Sequence, residues 1–271
     1  MKWETESRTE KKKQGTVNED FYKINEDYCI VSDGMSGKKA GNVASKMAID
    51  YISEKVEKLI APQDTLDEEN FKRQIFGFIA QANENVYQSS IEKPEFQGMG
   101  ATLDLLVRKG NKVFVFHVGD SSVFIMERDG SFKKITQDDT EVARLYSKNK
   151  IPKELVYTHP LRNKMEKIIG QKRKVVPSCI ELSLDNIKYI LMATDGIASY
   201  VTEEEIEKVM SDEKDKSGIL NKLFEIRKNP RKMAQIFKGT SEEYETDKLS
   251  EICEILSDYD DATAIIIENT G

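Results

Sequence analysis

The sequence predicts an α+β fold, a sandwich of β-strands flanked by helices, on three observations. The first is element order: strand signals, two long helical stretches, many further strands, helical signals again, and one last strand. An alternating α/β chain would interleave the two types throughout. The second is that the strand segments are apolar at most positions and end in turn residues. The third is a pair of long stretches whose apolar residues recur on one helical face.

Residues 27–32 (DYCIVS) form a short β-rich run ending at Asp33-Gly34. The first helical stretch follows: Val43, Ala44, Met47, Ala48, Tyr51, Ile52, Val56, Leu59 and Ile60 share a face between positions 41 and 60. The second runs from 69 to 87, with Phe71, Ile75, Phe78, Ile79, Ala82 and Val86. Strand signals return at 101–107, at 112–118 (KVFVFHV), directly before Gly119-Asp120, and at 122–127 (SVFIME). Asp129-Gly130 is a hairpin signal leading into 132–135. Residues 189–194 (YILMAT) end at Asp195-Gly196, and Thr202 to Glu205 reads as a capping box opening a helix. The region 214–258 is charged and helix-prone and carries no assignable chemistry; 262–267 (ATAIII) is the last strand. No repeat or low-complexity linker divides the chain, so 1–271 reads as one domain.

Charged residues make up 33% and hydrophobic ones 38%, with a net charge of −7. That balance argues against nucleic acid or an anionic membrane as partner, since both demand a basic face. The first residues lack an apolar signal region, and no apolar run approaches the ~20 residues of a membrane span. A cytoplasmic location is the expectation. Three separated cysteines, Cys29, Cys179 and Cys253, argue against a disulfide framework or a zinc site, and all three sit in apolar segments as buried thiols. None has an arginine six positions on, as a cysteine-dependent phosphatase loop requires. With two histidines, His117 and His159, any bound metal must be held by oxygen. His117 lies in an apolar strand and reads as a satisfied core residue. No Gly-rich phosphate loop is present.

Acidic turns stand at strand ends: Asn18-Glu19-Asp20, Asp33-Gly34, Asp195-Gly196 and Asp260-Asp261. Carboxylates there are rigidly held and partly desolvated. Converging, they would repel one another unless cations neutralised them, and hard oxygen ligands suit Mg²⁺ or Mn²⁺. The glycine after the aspartate is expected to let the backbone turn sharply and aim its carbonyl at the same ion. Each Asp-Gly taken singly reads first as an ordinary turn. Convergence is not visible in a sequence.

Seven segments together resemble the type 2C, metal-dependent serine/threonine protein phosphatases. They are Asn18-Glu19-Asp20; Asp33-Gly34-Met35-Ser36-Gly37 with Gly41 and Ala44-Ser45; Gly98-Met99-Gly100-Ala101-Thr102; Val118-Gly119-Asp120-Ser121; His159-Pro160-Leu161-Arg162-Asn163; Ala193-Thr194-Asp195-Gly196; and Asp260-Asp261-Ala262-Thr263. Their order and approximate spacing follow the family from about 18 to 267, and the bacterial branch fits best. The resemblance implies two antiparallel sheets packed face to face, flanked by helices, around a two-metal centre of Mn²⁺ or Mg²⁺. It implies that Asp33 bridges both ions, that Asp195 and Asp260 hold one, and that Glu19 and the Gly34 carbonyl help hold the other. Asp20 supports from behind, and Asp120 binds a third, weaker ion. Asp33, Asp195 and Asp260 are then the catalytic set. Two ions about 4 Å apart can share and activate a water for in-line attack on phosphorus, with no protein nucleophile. Residues 138–170 correspond to the branch's flap.

The chain departs from the family pattern at several points. The phosphate-gripping arginine is replaced by Gly15, so the nearby Lys11–Lys13 run, and Lys13 in particular, becomes the candidate substrate-phosphate anchor, although a lysine cannot reproduce a guanidinium fork. Ser199 stands where a third-ion aspartate is expected, and Asp261 where an asparagine is. The implied activity is hydrolysis of phosphoserine and phosphothreonine in proteins through a dimetal-activated water, opposing a serine/threonine kinase, by a monomer. The alternatives are a catalytically reduced phosphoprotein-binding or scaffolding relative, and a hydrolase of small phosphoesters.

Overall fold

The computed structural model describes residues 3–12, 17–35, 40–61, 66–152, 155–156, 159–228 and 260–270. Two five-stranded antiparallel sheets lie at its centre. The first is ordered β1 (Trp3–Glu10), β12 (Ala262–Asn269), β11 (Ile187–Ala193), β8 (Ser122–Glu127), β9 (Phe132–Lys134). The second is ordered β10 (Ser178–Ser183), β7 (Lys112–Val118), β6 (Leu103–Lys109), β3 (Tyr28–Ser32), β2 (Phe21–Ile24). A short pair, β4 (Gly34–Met35) and β5 (Gly100–Ala101), sits beside them. Helices α1 (Gly41–Leu59) and α2 (Glu68–Glu92) cover the second sheet. Helices α5 (Glu203–Asp212) and α6 (Lys216–Ile226) cover the first. The predicted sandwich with flanking helices is what the chain forms.

Side-chain alternation explains why the strands read as unbroken apolar runs. In β7, Val113 and Val115 enter the core between the sheets, while Phe114 and Phe116 enter the core under α1 and α2. In β11, Ile190 and Met192 face the other sheet, and Tyr189, Leu191 and Ala193 face α5 and α6. Each central strand is thus buried on both faces. Cys29 lies in the middle core, where burial pushes its thiol up to about 12; Cys179 is half-buried and Cys253 lies outside the described residues.

Helix starts follow local chemistry. The Asp67 carboxylate accepts from Asn70 N at 2.8 Å to open α2, and the Thr202–Glu205 capping box opens α5 as its sequence predicts. In the two main sheets three strands escape the sequence pattern: β1, β2 and β10. All are sheet edges with half-exposed side chains, so no apolar alternation marks them. Their hold is the ladder, as in the eight-residue pairing of β1 with β12. A short helix, α3 (Glu141–Ser147), falls in 138–170 and was also unmarked; Thr140 caps it through Ala143 N. Of 214–258, the described part supplies α6, and 229–258 lie outside the described residues.

Topology gathers the acidic turns. Strands β3 and β7 both run antiparallel to β6, so they end at one edge, placing Asp33 and Asp120 there. The end of β11 pairs beside the start of β12, which brings Asp195 next to Asp260. The end of β1 lies against the same start of β12, which delivers Lys12.

Candidate metal centre and active-site cleft

Asp33 is fixed by its backbone before its carboxylate does anything. Its N–H donates to Thr102 Oγ1 at 2.9 Å, and its carbonyl accepts from Thr102 N at 2.8 Å. Thr102 Oγ1 is itself 2.8 Å from Ser121 Oγ. The Gly98–Thr102 and Val118–Ser121 segments therefore serve as the socket for Asp33. Asp195 begins the single-turn helix α4 (Asp195–Ala198), directly after β11. Thr194 N donates to Thr263 O, and Thr263 N to Thr194 Oγ1, each at 2.9 Å, which ties the Asp195 and Asp260 turns together.

The glycines act by absence of bulk rather than by a left-handed backbone. Neither Gly34 nor Gly196 adopts positive φ. A Cβ on Gly34 would overlap the carbonyl of Gly41, and one on Gly196 would overlap the carbonyl of Asp261. These are sites where two backbones cross too closely for a side chain. Gly41 N also donates to Glu19 Oε1 at 3.2 Å, so the crossing orients Glu19.

The carboxylates meet. Asp33 hydrogen-bonds Asp195, and Asp20 and Asp120 add their charge to the pair. Burial, then the Asp195 charge, holds the Asp33 carboxyl well above the usual range. Burial followed by Asp260 pushes Asp195 up to about 7. Asp20, buried and accepting from Thr194 Oγ1 at 2.9 Å, is pushed by burial to about 7. Asp120 is raised to about 8 by burial and by Asp195. Asp260 is the open member, its side chain 50% exposed. The sequence-predicted residues thus come to one place, with Glu19 beside them and Gly34 lining the same cavity of about 640 Å³ as Asp33 and Asp195.

Among the described residues no three acidic, histidine or cysteine side chains already surround one point as a ligand set. Asp33 and Asp195 close on each other, and Asp260 Oδ1 lies 3.4 Å from Lys12 Nζ. The donor set nonetheless fits hard divalent cations. It is all oxygen, it is net negative and buried, and Asp195 Oδ1 and Asp20 Oδ1 have no hydrogen-bond partner. Buried carboxylate oxygens without donors call for a cation.

Lys12 is the site's own cation. Its Nζ lies 3.2 Å from Glu19 Oε2, 3.4 Å from Asp260 Oδ1 and 4.0 Å from Asp261 Oδ2. Burial opposes its charge, but Asp260, Glu19 and Asp261 together hold the ammonium above the ordinary lysine range. Lys13 and Gly15 lie outside the described residues, so the structure brings in the neighbour of the predicted anchor. Sequence reasoning missed Asp261 as a working residue. Its Oδ1 accepts from Lys12 N and its Oδ2 from Glu19 N, each at 2.7 Å.

A second cavity, of about 620 Å³, opens from Asp120, Asp195 and Asp260 and is walled by Arg162, Ser199 and Tyr200. The 138–170 segment borders it and is anchored at its base: Thr140 bridges Met165, Glu166 N donates to Asp139 O at 2.7 Å, and Lys167 Nζ pairs with Asp139 at 2.6 Å. His159 Nδ1 accepts from Leu161 N at 3.1 Å, a local turn bond. His117 is the satisfied core residue expected, with partners on both ring nitrogens.

Comparison with known proteins identifies the family and the fold. Residues 9–251 match the family profile described as protein phosphatase 2C, and the chain belongs to that family. A relative, protein phosphatase PhpP of Streptococcus pneumoniae, is 28% identical over 200 residues, covering 73% of this chain and 78% of its own length. Among solved structures, the serine/threonine phosphatase Stp1 from Staphylococcus aureus superposes with a TM-score of 0.77 at 23% identity, covering 99% of this chain and 95% of that one. The catalytic domain of the serine/threonine protein phosphatase PstP, in complex with two manganese ions, gives a TM-score of 0.72 at 19% identity, with 98% of each chain covered.

Proposed function

We propose that this chain hydrolyses phosphoserine and phosphothreonine in proteins, using two divalent metal ions held by Asp33, Asp195 and Asp260 with help from Glu19 and the Gly34 carbonyl. The observation that carries the reading is the meeting of Asp33, Asp195, Asp20 and Asp120 from separate motifs, with Asp195 Oδ1 and Asp20 Oδ1 left without donors. When bound, such ions supply Lewis-acid activation of water and of phosphoryl oxygens. The manganese ions of the PstP catalytic domain support Mn²⁺ as the first ion to test.

The chain's own groups do the rest. Asp20 takes the Thr194 hydroxyl and backs Asp195 and Asp33. Lys12, from the run that includes Lys13, is the ammonium placed to meet a phosphate once its carboxylate partners turn to metal. Arg162 offers a second cation at the cleft wall, and 138–170 would shield the reacting groups from bulk water. Asp120 would hold a third, weaker ion. The substrate would be a phosphoprotein modified by a serine/threonine kinase, and the expected setting is the cytoplasm; among the described residues no helix is long and apolar enough to cross a membrane. Ser199 in the cleft, where the family pattern expects an aspartate, favours a second reading: a catalytically reduced phosphoprotein-binding relative.

One assay separates them. Phosphate release from a phosphothreonine peptide is measured with and without Mn²⁺, wild type beside Asp195→Ala. The expected result is Mn²⁺-dependent release that falls at least about 100-fold in the variant. No release from folded, metal-loaded wild type would move the assignment to the binding reading. Equal activity on small phosphoesters would point to a broader hydrolase.

A further inference from the structure

Arg227 is among the largest fully buried side chains of the protein, 1% exposed, at the C-terminal end of α6. A buried guanidinium must find acceptors, because desolvating it unpaired costs several kcal/mol. Two of its bonds go to backbone carbonyls of the metal turns: Nη1 donates to Gly196 O at 3.3 Å, and Nη2 donates to Asp260 O at 3.2 Å. Its guanidinium carbon also lies 5.3 Å from the centre of the Phe224 ring, a cation–π contact. Arg227 N is held by Leu223 O at 3.1 Å, so the side chain is rooted in the helix.

Resting on the metal-dependent reading above, we propose that Arg227 is a positioning residue that clamps the Asp195-Gly196 turn to the Asp260 turn and sets the separation of their carboxylates. The two turns come from distant parts of the chain. Thr194 and Thr263 join them on the strand side. Arg227 joins them on the helix side, through the carbonyl of Gly196, the residue after Asp195, and the carbonyl of Asp260 itself. A planar fork can reach two carbonyls at once, whereas an ammonium is a single point. The clamp also matters because Asp260 is half-exposed and has no buried side-chain socket of its own. Its carboxylate is held at the exposed side, by Asp261 N at 2.8 Å and Lys12 Nζ at 3.4 Å, and the buried hold on the residue comes through its carbonyl. Helix α6 thereby enters the site's machinery from a region whose sequence carries no catalytic motif.

The test compares Mn²⁺ affinity by calorimetry with thermal stability, in wild type, Arg227→Met, Arg227→Lys and Leu220→Ala. Leu220 is buried on the same helix and, being aliphatic, can donate to neither carbonyl, so its variant controls for loosened α6 packing. In Arg227→Met the Mn²⁺ dissociation constant should rise by about tenfold or more, the scale on which groups orienting metal ligands act. Arg227→Lys should fall between wild type and Met, and Leu220→Ala should lose melting temperature with its affinity unchanged. If Arg227→Met does not fold, the Lys variant decides: a several-fold weaker affinity supports the clamp, and wild-type affinity overturns it. Unchanged affinity in folded Arg227→Met overturns it as well, as would an equal loss in Leu220→Ala. A wild type that binds no Mn²⁺ overturns the metal reading and the clamp together, so the two failures are distinguishable.

Discussion

Asp261 shows how much one carboxylate can organise without touching a metal. It is 2% exposed, and its two oxygens accept the Lys12 and Glu19 N–H groups at 2.7 Å each. Those bonds bind the exit of β1 and the 18–20 turn to the start of β12. An amide has one acceptor oxygen, and its NH₂ would face an N–H donor. Asp261→Asn should therefore cost about 1–3 kcal/mol, the penalty of one buried donor left unpaired. For a chain of this size that is a fall of about 2–4 °C in melting temperature per kcal/mol. A melt of the variant that superposes on wild type would show that the pair of bonds is replaceable. In the sequence Asp261 stands out as one member of an acidic turn and as a departure from a pattern that prefers asparagine. Its role depends on which N–H groups surround it, and those belong to distant segments. The same holds for Lys12 against Lys13: the composition of the run is plain, but which ammonium reaches Glu19 depends on how β1 ends.

At the scale of elements, the central strands and the two long helices were legible because each buries both faces or one clean stripe. Strands β1, β2 and β10 were not, because an edge strand earns its place by ladder bonds that any sequence can make. β9 was legible despite being an edge, owing to the Asp129-Gly130 turn before it. Strand β7 also carries a titratable device. His117 Nδ1 is 2.7 Å from Asp104 Oδ1 on β6, and Nε2 is 3.0 Å from Gln137 O, in the segment that lines the cleft. With acceptors on both nitrogens, the imidazolium is the form that satisfies both. Burial opposes its charge, but Asp104, then Asp139 and Asp138, outweigh it and raise its pKa above 6.5. The folded state thus binds this proton more tightly than the unfolded chain. Its stabilisation is complete below the unfolded value and is lost as pH rises through the folded one. The urea midpoint of the wild type should fall across that upper range. In Asp104→Asn, which keeps the shape and removes the charge, the fall should begin at lower pH. A profile identical to wild type would mean that the Asp104 charge does not hold the proton.

Across the whole molecule, the two sheets are joined at one edge by a cluster of like charges, and on the two-metal reading proposed above stability and metal binding become a single equilibrium. The motif order placed these residues in a family, yet only the register of β3, β7, β11 and β12 makes them neighbours. Asp195 and Asp20 are raised to about 7 and Asp120 to about 8, each first by burial, and Asp33 is held well above its ordinary value, again first by burial. Between the unfolded value of 3.8 and those folded values, the metal-free folded chain holds more protons than the unfolded one. Its stability must therefore fall as pH rises through that window. A divalent cation reverses the preference, because ligating carboxylates must give up their protons. Saturating Mn²⁺, at about 100 times its dissociation constant, should stabilise the fold by about 2.7 kcal/mol. At a fixed Mn²⁺ concentration the rise in melting temperature should be small near pH 6 and large near pH 8, since fewer protons then have to be displaced. Calorimetric titration in two buffers of different ionisation enthalpy should detect protons released on binding, fewer at the higher pH. A melting shift that ignores pH, with no proton release, would mean the cation sits outside the buried carboxylates and that Asp33 and Asp195 keep their shared proton.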